Sequence, residues 1–403
     1  MTLAQQMVQP TPRLGLAAVG LKTGAFTLGH FVNDSYPNLY PALLPVLMVQ
    51  LHFSVALAGL LSSIAALTTQ LLQPIAGLMA DRLGTRWFVV GGLGVGAVVS
   101  STALAFAPSY WIFVLALLVG GLGNAAFHPH ASALVGDIAH ERKGLSMSFF
   151  MIGGNLGRAV APIAATTVFL WLGRGGLWIL AIPGLVMALW LGRVLTPAPV
   201  PRIRSLAIWT PEFKQGLRHA SNLMAVVGLR NLASMSVLVL VPILWHTLHR
   251  PLADAAGLLS ILFLAGSLGN MSGGALSDRV GPRPVLIGSA ILSSLFLFLF
   301  LHVQGAWVWV LMALLGYALY ATASVVMVAG QALFPQNKGM ASGLTLGVGN
   351  TIGALSVGLV GLVADRYGAS TGLLVAAAAL LVSLPFSWTL RVTPAPSPVR
   401  RAS

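Results

Sequence analysis

The sequence contains no cysteine. That excludes a disulfide framework, thiolate metal sites and thiol redox chemistry. Charge is almost as scarce: Asp, Glu, Lys and Arg make up 7% of the 403 residues, against 57% hydrophobic ones. With a mean hydropathy of +0.88, too few polar side chains exist to cover a soluble domain. The ten-residue alternation of a spanning barrel is absent as well. No nucleotide-cradling G-x-x-x-x-G-K-[ST] and no H-E-x-x-H motif occurs, so neither ATP-driven work nor a zinc enzyme is expected.

What remains is a succession of apolar runs, each about twenty residues long, the length a helix needs to cross ~30 Å of hydrocarbon. They fall at 24–49, 57–80, 88–107, 110–135, 144–169, 175–195, 221–247, 256–277, 284–303, 306–333, 340–364 and 370–390. Nearly every gap carries charge, Pro or Gly. The expected fold class is an all-α membrane protein with twelve transmembrane helices. A net charge of +14 would point to nucleic acid in a soluble protein. Here the basic residues sit in short loops, so the expected partner is the lipid bilayer and not nucleic acid. Met1 to Leu21 holds no compact apolar core before a cleavage site, so no cleaved signal peptide is expected. With a cytoplasmic N-terminus, loop residues such as Arg82, Arg86, Lys143 and Lys338 fall inside, and only Arg174, Arg250 and Arg366 fall outside. This positive-inside bias puts both termini in the cytoplasm.

The connection from Thr196 to Ala220, with TPAPVPRIR and a basic stretch, divides the chain into 1–195 and 221–403. The two parts repeat. GLMADRLGTR at Gly77 to Arg86 returns 197 residues later as GALSDRVGPR at Gly274 to Arg283, and Lys143-Gly144 with Asn155 returns 195 residues later as Lys338-Gly339 with Asn350. Parallel six-helix repeats are the architecture of a rocking transporter with a midplane site. In each loop an aspartate closes a helix ahead of a basic residue and a glycine, which suits a tight turn and a charged latch. Gly77, Asp81, Arg82, Gly84, Arg86, Asp278, Arg279 and Arg283 are therefore the expected gating residues, with plain topological anchoring as the alternative for the arginines. DRYG at Asp365 to Gly368 has similar letters on the opposite side and reads as a turn.

G-x-x-x-D-R-x-G-x-R after span two and again after span eight resembles the loop signature of the major facilitator superfamily. Within it, GHFVNDSYPNLYPALLP at Gly29 to Pro45 and NAAFHPHASALVG at Asn124 to Gly136 are similar to the fosmidomycin-resistance family of efflux proteins. GGNLGRAVAP in span five resembles the Gly/Pro signature of drug–proton antiporters, with Ala161-Pro162 where Gly-Pro is usual. The resemblance implies two pseudo-symmetric six-helix bundles in a bacterial inner (cytoplasmic) membrane. It also implies a monomer without cofactor that exports a toxic, fosmidomycin-like compound by alternating access.

Asp34 is the acidic residue lying well inside a span. A charge at that depth costs ~2.5–3.5 kcal/mol and is seldom kept without a partner or a function. His30 lies one turn before it on the same helix face. Pro37, Pro41 and Pro45 each lack an amide hydrogen, leaving the carbonyls of Asn33, Pro37 and Pro41 without their usual donors, which is tolerated where a helix lines protein or a watery cavity. The 197-residue offset maps Asn33 to Arg230 and Asp34 to Asn231, so a central Asp34–Arg230 pair is expected, either titrating or serving as a static brace. Asp34, His30 and His128 are the expected proton-coupling residues. Arg158 and Arg230 offer one guanidinium per half for an anion, with an Arg158–Asp34 ion pair as the alternative. Asn33, Asn124, Asn155, His130, Tyr36 and Gln73 complete the expected substrate wall, and Gly153, Gly154 and Gly157 read as close helix packing. No carboxylate or thiolate spacing supports a metal site. The expected function is proton-coupled export of a small anionic or amphiphilic compound; the alternative is a proton symporter importing a sugar, organic acid or nucleoside.

Overall fold

A computed structural model describes residues 16–71, 85–138, 143–195, 211–333 and 338–390. All regular structure in these residues is helical. The helices are α1 Leu16–Ser35, α2 Leu44–Leu51, α3 Val55–Leu71, α4 Thr85–Phe106, α5 Tyr110–Ile138, α6 Lys143–Leu172 and α7 Ala181–Val194 in the first half. The second half holds α8 Pro211–Thr247, α9 Leu252–Val280, α10 Pro282–Phe300, α11 Trp307–Tyr320, α12 Ala323–Leu333, α13 Lys338–Tyr367 and α14 Ala369–Trp388. Pairing α1 with α2, and α11 with α12, gives twelve spans. Among the described residues nine segments are by themselves long and apolar enough to cross a bilayer. Of the other three spans, α1–α2 is broken, α3 is followed by residues outside the description, and α13 ends in Asp365 and Arg366.

The sequence accounts for the first break. α1 stops at Ser35, and two 3-10 turns, Tyr36–Asn38 and Pro41–Leu43, carry the chain through its prolines to α2. The carbonyl of Asn33, which loses its donor to Pro37, accepts instead from Asn124 Nδ2 on α5 at 3.4 Å. Asn38 Nδ2 donates to the carbonyl of Asp34 at 2.9 Å. The second break was not expected: span ten is interrupted at Ala321 and Thr322, between α11 and α12. α8 also begins at Pro211, inside the stretch read from the sequence as linker.

Helix α6 shows how one span serves lipid and protein together. Phe149, Ile152, Leu156, Val160 and Ile163 recur every three or four residues and are exposed, the apolar stripe a bilayer requires. Gly153, Gly154 and Gly157 occupy the other face. A Cβ added at Gly153 or Gly157 would run into the carbonyls of Thr27 and Phe31 on α1, so the two backbones pack directly.

The halves meet where α3 lies along α13 and where α6 lies against α9. At the N-terminal end of α3, the Asp365 carboxylate accepts from the amides of Val55 at 2.8 Å and Ala56 at 2.9 Å. Ser63 Oγ donates to the carbonyl of Ala354, and Cβ atoms added at Gly59 or Gly361 would lie 2.6 Å from Val357 O and 2.7 Å from Ala56 Cα. Asp365 therefore does more than close a turn. It caps a helix of the opposite half, while Gly368, at φ 90°, supplies the turn itself.

Candidate functional site

The buried Asp34 carboxylate is the centre of a cluster built by three spans. His30, one turn earlier on α1, places Nε2 3.4 Å from Oδ2; His128 of α5 places Nε2 2.9 Å from Oδ1; Arg158 of α6 places Nε 3.5 Å from Oδ2. Gly154 makes the approach of α6 possible, since a Cβ there would sit 2.5 Å from His30 Nε2 and 2.9 Å from Asp34 Oδ2. His30 stacks on Phe150, ring centroids 4.0 Å apart, and its Nδ1 lies 2.7 Å from the Phe150 carbonyl.

These contacts constrain the protons. A carbonyl only accepts, so His30 Nδ1 carries hydrogen, and Nε2 is attracted to Asp34 only if it is protonated too. With Arg158 charged, Asp34 ionised and both histidines neutral, the cluster has no net charge, and each added proton makes it cationic. The cluster thus has a place to hold a proton between His30 Nε2, Asp34 and His128 Nε2. The same three groups have ligand atoms within 4.8 Å of one another, as a metal site would. The Arg158 guanidinium beside the same carboxylate opposes a second cation. Asn33 Nδ2 and Asn155 Oδ1 support the cluster, the first 3.4 Å from Asp34 Oδ1 and the second accepting from Arg158 Nη2 at 2.7 Å.

The cluster opens on a cavity of about 410 Å³ that both halves line. Asp34, Asn124, His128 and Arg158 face it from one side; Asn231, Ser234, Tyr320 and Asn350 face it from the other. A second cavity of about 230 Å³ shares those last four residues and reaches Arg230.

The central Asp34–Arg230 pair is not formed. Arg230 instead donates from Nη2 to Ser289 Oγ and to the Leu319 carbonyl, each at 2.7 Å, while Arg158 takes its place beside Asp34. Tyr36 lies off the large cavity, its hydroxyl donating to the Leu180 carbonyl at 2.9 Å, and Tyr40 stands in the wall instead. His130 is on α5 and Arg86 on α4, but their side chains lie outside the description, as do Gln73, Gly77, Asp81, Arg82 and Gly84 altogether. Asp278 and Arg279 are exposed and make no ion pair among the described residues. Arg283 Nε donates to the Leu390 carbonyl at the end of α14.

The sequence leaves Tyr320 open between substrate contact and core packing, and it does not single out Ser234, Asn231 or Asn350 as wall residues. The repeat held a signal for two of them: Asn231 is the counterpart of Asp34 and Asn350 of Asn155, and Asn231 Nδ2 donates to the Asn350 carbonyl at 2.6 Å.

Comparison with known proteins agrees with this architecture. The fosmidomycin resistance protein of Escherichia coli is 26% identical over 89% of this chain and 91% of its own length. A gentisate transporter of Corynebacterium glutamicum is 25% identical over 96% of this chain and 93% of its own. A variant of the nucleoside transporter NupG superposes with a TM-score of 0.79 at 16% identity, covering 92% of this chain and 99% of that one, a likeness of fold. The sequence profile of the Major Facilitator Superfamily matches residues 26–229 and 223–403. The chain therefore belongs to the Major Facilitator Superfamily and is a multi-pass membrane transporter.

Proposed function

We propose that this transporter exports a small anionic or amphiphilic compound from the bacterial cytoplasm in exchange for protons, with both termini in the cytoplasm, as the loop charges favour. One observation carries the reading: the buried carboxylate of Asp34, ringed by His30, His128 and Arg158, stands in the wall of a cavity shared by both halves. Ionised Asp34 accepts a hydrogen bond from a hydroxyl or amide of the substrate. A proton arriving at the cluster neutralises that acceptor and releases the substrate on the far side. On the same orientation the Asp365 seam lies at the outer face, closed in this state, and must part for release. The name of the fosmidomycin resistance protein supports efflux.

Charge counting favours a second reading, proton symport importing an organic acid. A protonated cluster is cationic and would hold an anion beside it, and gentisate, a carboxylate, stands in the name of one relative. The sign of proton flux separates the two. Substrate added outside proteoliposomes acidifies that side under antiport and alkalinises it under symport. A transported substrate that moves no protons would sink both.

A further inference from the structure

The break in span ten is made by side chains of other spans. Ser289 Oγ donates to the Ala318 carbonyl, and Arg230 Nη2 takes the Leu319 carbonyl. In an unbroken helix these two carbonyls accept from the amides of Thr322 and Ala323. The chain re-enters helix at Ala323, and Asn270 Oδ1 accepts from the Ser324 amide at 3.0 Å. Thr322 and Ala323 stand at this break and line the 230 Å³ cavity together with Arg230. The α12 N-terminus gives that point a partial positive charge.

Arg230 adds an independent observation. The residue is 6% exposed, and its Nη1 is buried with no hydrogen-bond partner among the described residues. No described carboxylate lies within ion-pair distance of it. A buried guanidinium balanced only by neutral oxygens is costly, and an anion is what relieves the cost. Arg158, by contrast, has the Asp34 carboxylate 3.5 Å from its Nε and donates from Nη2 to Asn155.

We propose that the pocket between Arg230 and the broken span ten seats the anionic head of the substrate. A carboxylate or phosphonate there pairs with the Arg230 guanidinium and faces the backbone at Thr322 and Ala323, with Asn231 and Asn350 beside it. The remainder of the substrate extends into the larger cavity toward Asp34. This rests on the anion-transport reading above and moves the head group from the first half, where Arg158 stands, to the second.

The test uses the full-length chain purified in detergent, with methylphosphonate and benzoate as anionic probes and benzyl alcohol as a neutral one. Both anions are expected to raise the unfolding temperature of the wild type, and benzyl alcohol is not. Arg230→Met should weaken anion binding by more than about tenfold, and Arg230→Lys, which keeps the charge but loses the fork, by about threefold. Hydrogen–deuterium exchange on the wild type needs no variant: methylphosphonate should protect the segment 319–326. No anion stabilisation, unchanged affinity in Arg230→Met, or protection confined to the segment around Arg158 would each overturn the assignment. A wild type that binds both anions yet moves no protons would sink proton coupling and leave this site standing. One that couples protons but binds equally well after Arg230→Met loses this site alone.

Discussion

The two halves place opposite chemistry at matching depths. In the first, the carboxylate of Asp34 meets three basic groups, His30, His128 and Arg158. In the second, the guanidinium of Arg230 meets, among the described residues, the hydroxyl of Ser289 and the carbonyl of Leu319. The first site is balanced internally, and on the proposed reading it is the one that takes up the proton. The second has no counter-charge among the described residues, and on the proposed reading the substrate supplies it. On the proposed reading, a duplicated scaffold is divided between a site for a proton and a site for an anion.

Glycine substitution should give the sharpest break in this comparison. Gly154 and Gly349 are counterparts in the 195-residue offset. A Cβ at Gly154 would meet His30 and Asp34, whereas one at Gly349 would lie 2.7 Å from Val227 Cβ. Gly154→Ala is expected to slow transport by at least ~tenfold and alter its pH dependence, since the charged cluster must reorganise. Gly349→Ala should lower thermal stability and leave the shape of the pH profile intact. Initial rates of transport between pH 5.5 and 8.5 check both.

Arg158→Lys should have a smaller effect. Lysine keeps a charge near Asp34 but cannot also donate to Asn155 as Arg158 Nη2 does at 2.7 Å, so a slowing of about threefold is expected at saturating substrate. Equal rates would mean that charge alone matters at that position.

The smallest effect concerns the seam. Asp365→Ala removes the cap from the amides of Val55 and Ala56, a loss of ~1 kcal/mol that shifts the balance between closed and open seam about fivefold. The absence of native cysteine lets spin labels on Val49→Cys and Tyr367→Cys report the change as a longer distance distribution. An unaltered distribution would make Asp365 a turn residue after all.

Much of this fold is written in the sequence because lipid forces it to be. Charge, Pro and Gly punctuate apolar runs at bilayer length, and the twelve spans follow from that punctuation. Asp34 stands out for the same reason, and the i, i+4 spacing places His30 beside it. The partners across spans are a different matter. Arg158 reaches Asp34 because Gly153, Gly154 and Gly157 let α6 close on α1, which depends on helix packing that a local pattern does not encode. Arg230 turns away because Ser289 and the Leu319 carbonyl, from two other spans, offer it oxygens. The break at Ala321 and Thr322 contains neither Pro nor Gly, so no local signal marks it. Asp365 was hidden by its letters: DRYG resembles a loop turn, and only the packing of α13 on α3 brings its carboxylate to a foreign helix end.

Proton movement on adding substrate to proteoliposomes tests the central claim most directly, with wild type and Asp34→Asn compared at equal reconstituted amounts. The account predicts acidification of the substrate side in the wild type and none in Asp34→Asn, while substrate exchange across the membrane persists in the variant. Proton flux of the same size in both proteins would contradict it.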